Sequence, residues 1–63
     1  MREVTEAEFF GEIKRLGKAG RDPMPGRGQN SSESIWKDQR STGMEIVGRS
    51  AYDEDGECKY FLV

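Results

Sequence analysis

Four carboxylates lie within five residues near the end of the sequence, and they are its densest group of chemically capable side chains. The group consists of Asp53, Glu54, Asp55 and Glu57. Aspartate and glycine favour turns, so one interpretation is a solvated hairpin turn. A second is a negatively charged tip that docks on a basic surface and steers association. A calcium loop counted from Asp53 would need glycine at its sixth position, where Cys58 stands, so no metal site is predicted.

Most of the side chains that build catalytic sites are missing. Cys58 is the only cysteine and there is no histidine. This excludes an internal disulfide, the usual zinc sites, Cys–His pairs and Ser–His–Asp triads. We therefore expect a protein that is not an enzyme and that uses no cofactor.

The cysteine content and the lack of long apolar runs also predict where in the cell the protein acts. A lone cysteine is typical of a reducing, cytosolic setting. No apolar run approaches the roughly 18 residues of a membrane span, and Met1-Arg2-Glu3 is not the start expected of a signal peptide. We expect a cytoplasmic protein without membrane contact.

Five cations in the first half of the sequence form a second candidate site. Gly26-Arg27-Gly28 resembles part of an RGG segment, and Gly17 and Gly20 have a G-x-x-G spacing. A pI near 5.0 argues against binding driven by phosphate contacts. One interpretation is that these cations only keep the chain soluble, and the alternative is that they contact nucleic acid directly. The residues concerned are Lys14, Arg15, Lys18, Arg21 and Arg27.

Aromatic residues near the acidic group give a third candidate surface. Trp36 is expected to fill the core, because the chain has few other large residues. Tyr52 and Phe61 are candidates for contact with a partner, since exposed aromatic side chains dominate interface energetics.

The elements that position these groups begin with a helix predicted over residues 5–17. Thr5 and Glu8 have the spacing of a capping box. Gly17 is expected in the left-handed position that ends the helix. An apolar stripe at helical spacing consists of Phe9, Ile13 and Leu16.

The rest of the chain divides into a loop and a sheet. Residues 17–34 contain two prolines and several glycines and predict a flexible basic loop. Residues 34–63 predict an antiparallel sheet. We expect one α+β domain, residues 1–63, in which one N-terminal helix packs on a three-stranded antiparallel β-meander with strands near 33–39, 44–52 and 58–63.

The register follows from the second turn, Asp53–Gly56. If Tyr52 faces Glu57, then Trp36, Val47 and Leu62 form one apolar row for the helix to cover. The last strand, from Cys58 onward, is expected to be a free edge that invites pairing with a second copy.

Five short motifs lie along the chain's length: Thr5-x-Ala7-Glu8-Phe9-Phe10, Asp22-Pro23-x-Pro25, Trp36, Val47-Gly48-Arg49 and Tyr60-Phe61-Leu62. This layout resembles a loose group of very short, mostly uncharacterised phage and prophage proteins. None of the motifs is catalytic. The resemblance implies a small accessory protein of a mobile element acting in the bacterial cytoplasm, and anti-CRISPR inhibitors are one kind of such protein.

These observations lead to a functional hypothesis. We expect a non-enzymatic protein that binds and inhibits a host protein or nucleoprotein complex. Two alternatives stay open: a nucleic-acid-binding accessory protein that uses the basic loop, and a structural homo-oligomer such as a dimer through a free sheet edge. The candidate partner-binding residues of the leading hypothesis are Asp53, Glu54, Asp55, Glu57, Tyr52 and Phe61.

Overall fold

A computed structural model describes all 63 residues as one helix and five strands. The sheet is antiparallel throughout and its order is β1-β5-β4-β3-β2. The predicted α+β class is confirmed. The predicted three-stranded sheet is wrong in its number of strands, because the sheet has five. The meander of β3, β4 and β5 is extended on one side by β1 and on the other by β2. In chain order the elements are β1 (Arg2–Val4), α1 (Glu6–Lys18), β2 (Pro23–Arg27), β3 (Glu33–Asp38), β4 (Ile46–Tyr52) and β5 (Cys58–Leu62).

The start of α1 is the predicted capping box. The backbone N–H of Glu8 donates to Thr5 Oγ1, and the N–H of Thr5 donates to Glu8 Oε1, both over 3.1 Å. The predicted end at Gly17 is wrong. The helix continues through Lys18 to an Ala19 cap, and the left-handed glycine is Gly20, with φ 85°. Lysine and alanine are good helix formers, so the helix runs past Gly17.

The helix crosses the whole sheet because β1 and β2 lie at opposite edges. Its 13 residues span about 20 Å at 1.5 Å per residue. Four gaps between neighbouring strands add up to about 19 Å. The helix therefore has the length needed to carry the chain from one edge to the other. It covers one face of the sheet; we call the other the open face.

The core lies between α1 and the middle of the sheet. Phe9 is fully buried at its centre, where Val4 and Leu62 are also buried. Ile13, Trp36 and Tyr60 pack against this cluster and stay partly exposed. The expectation that Trp36 fills the core is therefore wrong, because the helix places Phe9 there.

The predicted register of β4 and β5 is wrong by one residue. Tyr52 pairs with Cys58, and Gly48 pairs with Leu62. The loop that connects Tyr52 to Cys58 has five residues, 53–57, and not four. The N–H of Asp53 donates to the carbonyl of Glu57 across its base, over 2.9 Å. A slip of one residue moves side chains to the other face.

A bulge in β4 changes the predicted apolar row further. Trp36 pairs with Gly48 and Lys37 with Ile46, so Val47 is an extra residue on its strand. Val47 is buried nonetheless. The row beneath the helix is thus Trp36–Gly48–Leu62.

The segment expected to be a loop, residues 17–34, contains β2, which pairs along its whole length with β3. The N–H of Gly28 donates to Glu33 O, and the N–H of Gln39 donates to Asp22 O. With the two-residue period of a strand, the nitrogens of Pro23 and Pro25 then point away from β3. Two prolines fit this strand because it is an edge and those nitrogens need no partner.

The expected free edge at Cys58–Val63 is wrong, because β5 is bonded to β1 on one side and to β4 on the other. The real edges are poor templates for another strand. β1 has only three residues. In β2, Pro23 and Pro25 have no N–H group to donate to an added strand. Short edges and edge prolines both discourage pairing.

Candidate partner-binding surface

The acidic loop, residues 53–57, joins β4 to β5 and is shaped by its first residue. Asp53 Oδ1 accepts hydrogen bonds from the N–H groups of Asp55 and Glu57, each over 2.9 Å. Asp53 is half-buried, whereas Glu54, Asp55 and Glu57 are exposed. Asp53 therefore builds the loop, and the other three carboxylates face solvent.

Only one cation approaches this loop. Lys59 Nζ lies 3.4 Å from Glu57 Oε2 and 4.0 Å from Asp53 Oδ2. The hydrogen bond to Glu57 raises the pKa of Lys59. Glu54 and Asp55 take part in no ion pair, so the tip keeps uncompensated negative charge.

Four aromatic side chains form a patch beside the helix. Phe10 follows the buried Phe9 on α1 and is 41% exposed. Its ring centroid lies 6.0 Å from that of Trp36 and 5.4 Å from that of Tyr60, both edge to face. Tyr52, at the end of β4, is 60% exposed. We call Phe10, Trp36, Tyr52 and Tyr60 the aromatic patch.

The polar atom of the central ring is already satisfied. Trp36 Nε1 donates to Ser50 Oγ over 3.1 Å, and Ser50 pairs with Tyr60 on the neighbouring strand. This hydrogen bond fixes the indole against the sheet. A partner could therefore contact the ring surface of Trp36 but not its N–H group, which is already hydrogen-bonded.

The aromatic patch and the acidic loop are continuous. Tyr52 immediately precedes the loop and pairs with Cys58, which immediately follows it. Strand alternation places Tyr52 and Tyr60 on the same face of the sheet. Hydrogen bonding to the Cys58 side chain and burial raise the pKa of Tyr60 to about 12, and the charge of Glu6 adds to this.

Phe61 does not belong to this surface. It pairs with Arg49, three positions before Tyr52, so the two-residue period puts Phe61 and Tyr52 on opposite faces. The Arg49 guanidinium carbon lies 4.9 Å from the centre of the Phe61 ring. Arg49 is also ion-paired with Glu33. Of the six predicted partner-binding residues, Tyr52 thus lies on the helix-covered face and Phe61 on the open face. The four acidic residues lie in the loop between these strands, where Asp53 and Glu57 are directed to Lys59.

The five cations of the alternative site lie on three parts of the chain: the helix, the turn after it and the end of β2. Arg15 Nε lies 2.6 Å from Glu12 Oε1. Arg21 is held by Asp38 and Glu45. Arg27 ends β2, four residues or about 13 Å along the strand from Pro23. Lys14 and Lys18 are exposed on the helix without an ion pair.

Asp38 is a structural residue that the pattern analysis missed. It is 2% exposed and accepts hydrogen bonds from Arg21 Nε at 2.7 Å and from the N–H groups of Asp22 and Arg40 at 3.0 Å. The Asp22 N–H and then the Arg21 guanidinium lower its pKa to about 2. Its position just before the β3–β4 turn is a signal that could have found it, since Asp favours the first position of turns.

The structure contains no group of three or more Cys, Asp or Glu side chains placed to hold a metal ion. No helix has both the length and the apolar character that a membrane crossing requires. Comparisons with protein-family models, curated proteins and solved structures found no match to this chain.

Proposed function

We propose that this protein is a non-enzymatic binding protein that docks the aromatic patch and the acidic loop on a basic region of a host protein or nucleoprotein complex. The observation that carries the proposal is the direct continuity of half-exposed rings with uncompensated carboxylates. Tyr52 and Asp53, consecutive in the chain, mark the border between them. The resemblance to short phage proteins favours inhibition as the outcome and the bacterial cytoplasm as the place.

The arrangement has the anatomy of a protein interface. Aromatic side chains supply most of the energy at the centre of interfaces, and a charged rim sets specificity and association rate. Here Phe10 and Trp36 are in ring contact within the patch, and the carboxylates of Glu54 and Asp55 follow Tyr52 at its margin.

The alternative of nucleic-acid binding has less support. Phosphate contacts need free cations on a continuous surface. Arg15 and Arg21 are engaged in ion pairs, and Arg27 is on another part of the fold. The surface with exposed rings carries negative charge, which repels a phosphate backbone.

Capture from bacterial lysate tests the proposal. The tagged chain is compared with the charge-reversed variant Glu54→Lys/Asp55→Lys, which leaves the loop-forming Asp53 unchanged. The control Glu12→Lys/Asp22→Lys changes the net charge equally, and neither residue interacts with the acidic loop or with Lys59. We expect the captured partner to be lost from the first variant and kept by the control. Equal recovery from both variants would contradict the proposed surface.

A further inference from the structure

The rings of the aromatic patch differ from Phe61 in one respect that points to their ligand. On the open face, the Phe61 ring is covered by the guanidinium of Arg49. No cation of the chain lies over any ring of the patch, since the Arg49–Phe61 contact is the only cation–π pair in the structure. The same type of ring is therefore capped by a cation on one face and left uncapped on the other.

The uncapped rings lie in a negative environment. The face of an aromatic ring attracts a cation placed within about 6 Å of its centre. Glu6 acts on Tyr60, and Glu54 and Asp55 follow Tyr52 closely in the chain without ion pairs. The only cation near the loop, Lys59, is directed to Glu57 and Asp53. A cation brought by a partner would meet both a ring and a carboxylate.

Resting on the proposed function, we infer that the patch receives an extended protein segment that carries arginine. Guanidinium is planar, stacks on aromatic rings and binds carboxylates through two N–H groups, whereas the lysine ammonium is a compact and strongly hydrated charge. One arginine can thus stack on Tyr52, which adjoins the loop, and reach a carboxylate of the loop. The Arg49 arrangement, with Phe61 beneath it and Glu33 beside it, shows this same double contact within the chain.

The chain contains its own reporter for this site. Trp36 is the only tryptophan and lies within the patch. The whole protein is titrated with a seven-residue arginine peptide, and binding is followed by Trp36 emission and by calorimetry. Peptides of seven lysines and of seven glutamates are the controls for stacking and for charge.

We expect saturable binding of the arginine peptide, binding of the lysine peptide weaker by several-fold, and none of the glutamate peptide. Tyr52→Ser and Glu54→Lys/Asp55→Lys should each raise the dissociation constant of the arginine peptide by about tenfold. This is the order expected for the loss of one ring or carboxylate contact. Tyr52 is well exposed, so its substitution leaves the core intact. The open-face control Met24→Ala should bind as the original chain does.

Absence of arginine-peptide binding by calorimetry would overturn the inference, as would equal binding of the lysine peptide or no effect of the two variants. Self-association in place of peptide binding, detected by sedimentation at two concentrations, would also overturn it. These outcomes are separate from the lysate experiment. A partner lost from Glu54→Lys/Asp55→Lys in lysate, without any arginine-peptide binding, would leave the proposed function standing and remove only this inference.

Discussion

The ring of Phe9 rests directly on the backbone of Gly48. A Cβ atom on Gly48 would lie 2.8 Å from Phe9 Cε1 and 2.7 Å from the carbonyl oxygen of Phe61. Both distances are well inside van der Waals contact, which for carbon atoms is about 3.5–4.0 Å. Glycine in the middle strand is therefore what lets the helix approach the sheet, and the position of the aromatic patch depends on that approach.

A methyl group at position 48 should destabilise the protein. We expect Gly48→Ala to lower the free energy of unfolding by about 1–3 kcal/mol, as overpacking of a filled core does. Gly11→Ala is the control, because a methyl group there would meet no heavy atom within 4 Å and alanine should raise helix stability by about 1 kcal/mol. The measurement is the urea concentration at the midpoint of unfolding for each variant. Equal midpoints would contradict the close contact between Phe9 and Gly48.

Substitution of Phe9 should affect the stability of the fold, whereas substitution of its neighbour Phe10 should affect binding. Phe9→Ala empties the centre of the core, where the ring is fully buried, and we expect a loss of about 3–5 kcal/mol. That is most of the stability of so small a domain, so circular dichroism should show an unfolded chain. Phe10→Ala should stay folded and weaken the binding of the arginine peptide, because Phe10 contacts the rings of Trp36 and Tyr60. A folded Phe9→Ala variant would show that the core is centred elsewhere.

The capping box should contribute measurably to the helix. Thr5→Ala removes the acceptor for the Glu8 N–H and is expected to cost about 1 kcal/mol. Thr5→Ser keeps that oxygen and should unfold at nearly the original urea concentration. If alanine and serine gave the same midpoint, the hydrogen bond would contribute nothing.

Asp38 should make stability sensitive to acid. Its folded pKa of about 2 lies below its ordinary value of 3.8, so the unfolded chain binds the proton more readily. The contribution is fully present above about pH 4 and is lost as the pH falls toward 2. Urea midpoints measured across this range should fall for the original chain and fall less for Asp38→Asn. Parallel curves would contradict this assignment.

The parts of the fold that were predictable are those with local signals. Thr5 and Glu8 interact within one turn, and the strands around Trp36, Val47 and Leu62 are short apolar runs bounded by turn residues. The acidic residues of the candidate site were also visible, because turn residues are read from the sequence directly. Gly56 has the positive φ, 84°, that its place in this turn predicts.

The missed features depend on contacts between distant segments. β2 looked like a loop because Pro23 and Pro25 argue against a central strand, and only its place at the edge makes them compatible. No local pattern marks the bulge at Val47 or the fifth residue of the loop between β4 and β5. The longer loop shifted the register of β4 and β5 and changed the faces, so Phe61 could not be separated from Tyr52 by sequence alone.

Hydrogen–deuterium exchange on the captured complex tests most directly which surface the partner occupies. We expect binding to slow exchange in residues 50–60 and around Phe10, while β2 and the loop between β3 and β4 exchange as in the free protein. Slowed exchange confined to β2, with no change in the acidic loop, would contradict it.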